Sequence, residues 1–280
     1  MRVIVTGSSG QLGQDVCAFL QAQGHAVCGL DLPAVDITDA EQVQYFFDLH
    51  DPDAVIHCAA FTSVDRAESD PATCTRVNVD GTRNIACAAE KHGAKLVYIS
   101  SDYIYGGTGT QPLTEATEAR PVNVYGRTKY AGELEAKRCS RLFIVRTSWV
   151  FGLHGANFVK TILHLSESQD VLRVVCDQTG SPTFTEDLAG LLCTMIGTER
   201  YGVYNASNEG FCTWHEFAEE ILRLSGRKVC VWPVTSAEYA SSARRPQNSR
   251  MSKQTLCDAG FGRLPHWKDA LVRYLHHSGD

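Results

Sequence analysis

The residues Arg2-Val3-Ile4-Val5-Thr6 run directly into Gly7-Ser8-Ser9-Gly10-Gln11-Leu12-Gly13, and this junction constrains the fold more than any other stretch. A short β-branched run bounded by glycine reads as a strand buried on both faces, as in a parallel sheet. The glycines let the backbone turn tightly and come close to a pyrophosphate. A helix marked by Val16, Phe19 and Leu20 follows, and its first N–H groups and positive dipole end suit that anion.

The same alternation continues along the chain. Ala26–Leu30 reads as a second strand ending at Asp31, about 20 residues past the glycines, where an acidic side chain binds a ribose 2′-hydroxyl. Asp31 leans the reading towards NAD, because a 2′-phosphate would meet a like charge. Thr38 is the expected N-cap of the next helix, with Glu41 completing a capping box. Asp36 either approaches the adenine end of a dinucleotide or assists that cap. Asp53–Cys58 is a third strand, and Ala59-Ala60-Phe61-Thr62 follow at its carboxyl end, where open α/β sheets bind ligands. Small residues there suit either a dinucleotide lying on the backbone or close helix packing.

A helix over Pro71–Gly93 leads to a fourth strand, Lys95–Ser100, which delivers Ser101-Asp102-Tyr103 to the same sheet edge. Ser101 and Asp102 are placed to hydrogen-bond a substrate or to cap a local turn. Gly106–Pro121 is a loop long enough to be functional. Leu142–Arg146 is a fifth strand running into Trp149. Residues 1–150 therefore read as a dinucleotide-binding domain. Beyond Gly152 the alternation loosens into a helix over 156–168, strands over 171–176 and 201–206, and a helix over 186–196. A further helix is opened by Thr213 with Glu216 as its capping partner. Residues 151–280 read as a smaller α/β substrate-binding region, some of whose segments return to the first domain.

Tyr125-Gly126-Arg127-Thr128-Lys129 places a phenol and an ammonium one helical turn apart on one face. A phenol titrates near pH ~10, and an ammonium beside it favours the phenolate. The same spacing also arises where a tyrosine packs on a lysine stem.

The 280 residues carry 32 acidic and 26 basic side chains, a net charge of −6 that argues against a nucleic-acid surface. No apolar run approaches the ~18 residues of a membrane span, and a cytoplasmic protein is expected. The 11 cysteines show no CxxC pair and no zinc spacing, so reduced thiols are expected and structural zinc is not. His276-His277 reads as a solvated tail.

GSSGQLG from Gly7, AAFTSVDRAE from Ala59, SSDYIYGG from Ser100, NVYGRTKYAGE from Asn123 and RTSWVFG from Arg146 together resemble the extended short-chain dehydrogenase/reductase family. DQTGSPTFTEDLA from Asp177 and ARRPQNSRM from Ala243 extend the resemblance over nearly the whole chain. It implies a Rossmann-like doubly wound parallel sheet that uses NADH or NADPH. It also implies a nucleotide-sugar substrate, dTDP-4-dehydro-6-deoxy-L-mannose, reduced at its C4 ketone to dTDP-L-rhamnose. Tyr125 matches the proton donor, Lys129 its partner on the nicotinamide ribose, and Ser101 the residue that polarises the carbonyl. Asp102, Tyr103 and Trp149 match sugar-contacting positions. Gly7, Gly10, Gln11, Leu12, Gly13, Asp31, Asp36, Ile37, Ala59, Ala60 and Phe61, together with Tyr125 and Lys129, match the cofactor-contacting ones.

Departures bear on the chemistry. A sugar 4,6-dehydratase of this fold carries Asp-Glu where this chain has Asp102-Tyr103, so elimination lacks its acid. Ser101 stands where many relatives have Thr. Some relatives join two subunits through Mg²⁺; Asp15 and Glu186 occupy the corresponding positions and are the candidates for such a metal and a homodimer, although no metal site is assigned. Two further readings stay open: an epimerase that keeps NAD bound, and a non-catalytic regulatory subunit of the kind that binds methionine adenosyltransferase. Arg244, Arg245 or Arg250 closes over a diphosphate or belongs to a solvated basic loop.

Overall fold

In the computed structural model, which describes residues 1–278, the β-branched runs form one parallel sheet. Its strands are β1 (Arg2–Thr6), β2 (Ala26–Leu30), β3 (Ala54–His57), β4 (Lys95–Ser101), β5 (Leu142–Thr147) and β6 (Gly202–Asn205). They lie in the order β6-β5-β4-β3-β1-β2. The chain leaves β1 outwards to β2 and then returns to β3 on the other side of β1, with Thr6 beside both Leu30 and His57. Strand order reverses there, and the carboxyl ends of β1 and β3 open a crevice.

Parallel strands need cover on both faces. The helices are α1 (Gln11–Ala22), α2 (Ala40–His50), α3 (Thr82–Lys91), α4 (Val124–Ala136), α5 (Phe158–Leu165), α6 (Thr185–Ile196), α7 (Trp214–Leu224) and α8 (Trp267–Ser278). Side chains alternate across the sheet. Val3 and Val5 pack with Val16 and Leu20 of α1 and Leu188 and Leu192 of α6. Ile4 faces the other way, with Val43 and Phe47 of α2 and Ile85 and Ala89 of α3. Each such large side chain contributes ~1.5–3 kcal/mol on burial.

Residues 185–205 thus supply a helix and a strand to the first sheet. A separate core joins Phe151, Phe184, Phe217, Ile221, Trp267, Leu271 and Tyr274. It is covered by α5, α7 and α8 and by the parallel pair Val171–Val175 and Cys230–Val234. This second layer sits beyond the carboxyl ends of β4 and β5 and walls the crevice.

Several local expectations change. The cap of α2 is Asp39, whose carboxylate accepts from the N–H groups of Glu41 and Gln42 at 2.9 and 3.1 Å. Thr38 does not take that role; its own N–H donates to Asp36 Oδ1 at 2.9 Å. The helix expected over 71–93 contains a π-helical stretch, Arg76–Gly81, between Pro71–Thr75 and α3. The capping box of α7 forms as expected, with Thr213 N donating to Glu216 at 2.7 Å and Glu216 N to Thr213 at 3.1 Å. His276 and His277 are exposed, as expected of a solvated pair, but they form the last turn of α8 and not a tail. The eleven cysteines are free thiols, and among the described residues no helix is long and apolar enough to cross a membrane.

Candidate active site

The glycine turn closes on β3. Gly7 has φ of +63°, and a Cβ there would stand 2.7 Å from the Ala59 nitrogen. Only glycine permits this approach, which leaves backbone, without side chains, facing the crevice. Asp31 Oδ2 accepts from the Ser9 N–H at 3.0 Å and the Ser9 hydroxyl at 2.5 Å, so the end of β2 is tied to the turn.

The crevice is a cleft of about 830 Å³. It gathers Gly7, Gly10, Gln11, Leu12, Gly13, Asp31, Asp36, Ile37, Ala59 and Ala60 along one arm, and Ser101, Asp102, Tyr103, Tyr125, Lys129 and Trp149 along the other. Phe61 does not line it, contrary to expectation. Its N–H donates to Asn78 Oδ1 at 2.8 Å and its carbonyl accepts from Asn78 Nδ2 at 3.2 Å, while its ring lies against Arg66.

Behind this loop runs a chain of hydrogen bonds not foreseen from the sequence. Ala59 N donates to Thr6 Oγ1 at 3.1 Å, and Thr6 lies 2.6 Å from His57 Nδ1. His57 Nε2 meets Thr82 Oγ1 at 3.1 Å, and Thr82 donates to the Asn78 carbonyl at 2.8 Å. Because the Thr82 proton goes to Asn78, His57 must donate from Nε2 and accept at Nδ1. The imidazole is therefore neutral, and burial drives its pKa down to about 3.

Asn123 caps α4 by accepting from Gly126 N at 2.7 Å. A Cβ on Gly126 would lie 2.2 Å from the Tyr103 carbonyl, so α4 seats directly on the turn after β4. That contact aims Tyr125 at Ser101. Burial raises the Tyr125 phenol well above its usual range, and the adjacent Ser101 hydroxyl opposes the rise. Lys129 lies 3% exposed with Nζ 4.4 Å from the Tyr98 ring centre. Its pKa is pushed down to about 8 by desolvation, with Glu133 and the Cys58 and Cys74 thiols acting the other way. The expected lowering of the phenol by Lys129 thus gives way to burial. A phenol that holds its proton is suited to donating it.

Asp102 is 2% exposed, and its Oδ1 accepts from the Ser101 hydroxyl at 3.0 Å. Its Oδ2 is buried near Ser249 without a hydrogen bond of normal geometry. Desolvation lifts this carboxyl to about 6.

The sequence pattern of the RmlD substrate binding domain matches residues 1–279. This chain belongs to the RmlD substrate-binding-domain family. It is 40% identical over 275 residues to the spore coat polysaccharide biosynthesis protein SpsK of Bacillus subtilis, covering 98% of this chain and 96% of that one. It is 40% identical to a dTDP-4-dehydrorhamnose reductase of Streptomyces griseus, covering 97% and 92%. The crystal structure of a dTDP-4-dehydrorhamnose reductase of Bacillus anthracis in complex with NADP superposes with a TM-score of 0.96, at 40% identity and 99% coverage of each chain.

In this RmlD-family chain the cleft adjoins a second cavity, also of about 830 Å³, and Trp214 lines both. Trp214 had no signal in the sequence beyond its place after a helix cap. Its ring stacks on Trp149 with centroids 3.6 Å apart and planes at 11°. The second cavity is lined by Phe158, Val174, Gln178, Tyr239, Arg173 and Arg244 among others. Arg245 borders it, but its guanidinium is bound to Asp65 at 2.5 Å. Asp65 also accepts from Ser241, Ser242 and Ala243 N, fastening this strap across the cleft. Arg250 is turned onto Asn248 at 3.0 Å, which leaves Arg244 as the cation of the three that faces the cavity without a carboxylate partner among the described residues.

The Mg²⁺ candidates face different histidines: Asp15 Oδ1 lies 3.7 Å from His154, with Oδ2 buried and without a hydrogen bond, and Glu186 lies 3.3 Å from His277. Among the described residues no group of three or more metal-ligating side chains is present.

Proposed function

We propose that the protein is an NAD(P)H-dependent oxidoreductase that reduces the C4 ketone of dTDP-4-dehydrorhamnose to give dTDP-L-rhamnose. The observation that carries this reading is the convergence of Ser101, Tyr125 and Lys129 at one end of a glycine-floored cleft that opens onto a second, arginine-bearing cavity. The cradle at Gly7 and Ala59, which any side chain would fill, fits a dinucleotide pyrophosphate. When bound, the reduced nicotinamide supplies the hydride. Ser101, once its hydroxyl turns from Asp102 to the substrate, and Tyr125 hold the ketone oxygen and stabilise charge as it develops there, and Tyr125 then gives up its phenolic proton to that oxygen. Lys129 orients the cofactor ribose and holds positive charge beside the phenolate left behind. Trp149 sits against the hexose, and the second cavity takes the nucleoside diphosphate, with Arg244 and Arg173 facing its phosphates.

For the cofactor we propose that both NADH and NADPH are accepted. Asp31 opposes a 2′-phosphate, but its carboxylate is already occupied by Ser9. The Bacillus anthracis relative solved in complex with NADP supports the wider choice. A cytoplasmic protein that forms a homodimer is also proposed, and light scattering tests the pairing.

The test is loss of reduced-nicotinamide absorbance when the protein meets freshly generated dTDP-4-keto sugar, with NADH and NADPH in parallel. Oxidation with dTDP-rhamnose as product is expected. Purification with NAD already bound and no net oxidation would instead favour an epimerase. Cofactor binding without turnover would favour the non-catalytic reading.

A further inference from the structure

Tyr125, Lys129 and Glu133 follow one another at steps of four along α4 and share one face of it. The Glu133 side chain is 2% exposed, and its carboxylate is bonded on both oxygens. Oε1 accepts from Ser100 Oγ at 2.5 Å and from Arg146 Nε at 2.9 Å, and Oε2 accepts from Arg146 Nη2 at 2.8 Å. Arg146 is itself buried, and its Nη1 donates to Tyr105 Oη at 2.9 Å and to the Glu115 carbonyl at 3.1 Å.

Taking an ion pair out of water costs more than packing two apolar side chains in the same space, so burial of this pair is poorly explained by stability alone. Its placement suggests another role. Ser100 immediately precedes Ser101, and Glu133 stands one turn beyond Lys129.

We propose that Glu133 is a positioning residue for the reduction: its carboxylate keeps Lys129 an ammonium and fixes the end of β4 that carries Ser101, while Arg146 sets how much of that negative charge reaches Lys129. This rests on the reading of Tyr125 and Lys129 given above.

The other groups that face Lys129 do not supply the charge. Tyr98 comes from β4, His57 and Cys58 from the end of β3, Cys74 from the Pro71–Thr75 helix, and Tyr125 from α4 itself. His57 is neutral by its hydrogen bonding, and burial raises the Cys58, Cys74, Tyr98 and Tyr125 protons above their usual range. Asp102 lies beyond Tyr125, bonded to Ser101. Glu133 is left as the carboxylate next to the ammonium, and without it desolvation alone acts on Lys129.

The experiment compares the pH dependence of kcat/KM for ketosugar reduction in the native protein, Glu133→Gln and Arg146→Met. Protonated Lys129 is required, so its titration forms the alkaline limb. Glu133→Gln leaves the Arg146 charge uncompensated beside Lys129 and moves that limb to lower pH by about one unit. Arg146→Met leaves the carboxylate unpartnered and moves it to higher pH. Shifts in opposite directions are expected. Lower kcat with an unmoved limb in both variants, or shifts in the same direction, would overturn the proposal.

If either variant fails to fold, Ser100→Ala keeps the ion pair and withdraws one donor from the carboxylate. Its limb moves to higher pH, and an unmoved limb counts against the proposal. NADPH affinity followed by nicotinamide fluorescence over the same pH range separates the two readings. Native protein that reduces no ketosugar sinks the reductase reading; opposite shifts of the NADPH-binding pH profile in Glu133→Gln and Arg146→Met would then still show that the pair sets the charge on Lys129, and unshifted profiles would overturn that as well.

Discussion

Trp149 holds a backbone φ of +50° while its indole lies flat against that of Trp214, 3.6 Å away. A left-handed conformation at a bulky residue costs of order 1–3 kcal/mol, and aromatic stacking returns ~0.5–1.5 kcal/mol beyond area burial. The stack therefore sets the plane of the ring expected to face the sugar, at the join of the two cavities. Trp214→Ala is expected to raise KM for the nucleotide sugar about tenfold, equivalent to ~1.4 kcal/mol of lost binding. NADPH affinity should change little, and Trp214→Phe should recover most of the loss. Steady-state kinetics with each substrate varied in turn checks this.

Tyr125→Phe removes the donated proton and leaves the cofactor arm of the cleft untouched. Turnover is expected to fall by about 10²–10⁴-fold with NADPH affinity nearly unchanged. Fluorescence titration and single-turnover oxidation read the two quantities separately. Turnover at the native rate would refute the acid role.

Asp31→Ala removes the negative charge that a 2′-phosphate would meet. The ratio of kcat/KM for NADPH to that for NADH is expected to rise several-fold, in line with a like-charge contact worth ~1 kcal/mol near a surface. Ser9→Ala frees the same carboxylate from its two Ser9 hydroxyl and turn contacts only in part, and should move the ratio the other way. An unchanged ratio in both would show that Asp31 does not reach the ribose.

His57 carries an acid-stability prediction. It is neutral when folded, with a pKa near 3, and an unfolded histidine titrates at about 6.5. Between those values the unfolded chain binds the extra proton, so stability falls as pH drops through this window. Asp102 acts in the opposite sense. Its folded pKa of about 6 lies above the ordinary 3.8, so the folded state gains a proton first and recovers part of the loss. Urea unfolding at a series of pH values should show a net acid slope, and His57→Asn should flatten it.

The parallel core was legible because β-branched runs such as Arg2–Thr6 and Leu142–Thr147 cannot satisfy a helical stripe. The cleft was legible because it forms where those runs end. What the residues did not announce depends on contacts between distant segments. Asn78 gives no local signal; it acts on Phe61 and Thr128 only because a π-helical stretch turns it towards them. Phe61 was placed in the cleft with its neighbours Ala59 and Ala60, yet its backbone is held by Asn78 and its ring lies against Arg66. Thr38 and Asp39 compete for one cap, and the Asp39 carboxylate takes it by accepting two N–H bonds. The C-terminal helix was hidden by its paired histidines, although Trp267, Ala270, Leu271, Tyr274 and Leu275 keep a helical stripe that packs on Phe184 and Phe217.

Along the chain that runs from the Ala59 N–H to the Asn78 carbonyl, Thr6, His57 and Thr82 each receive one proton and pass one on, and its sense is fixed because one end can only donate and the other can only accept. That makes the Ala59 side of the cleft a fixed jaw, held by bonds that water does not reach. Accommodation of substrates that differ in size falls to the opposite jaw, where residues 241–245 hang on the half-exposed carboxylate of Asp65.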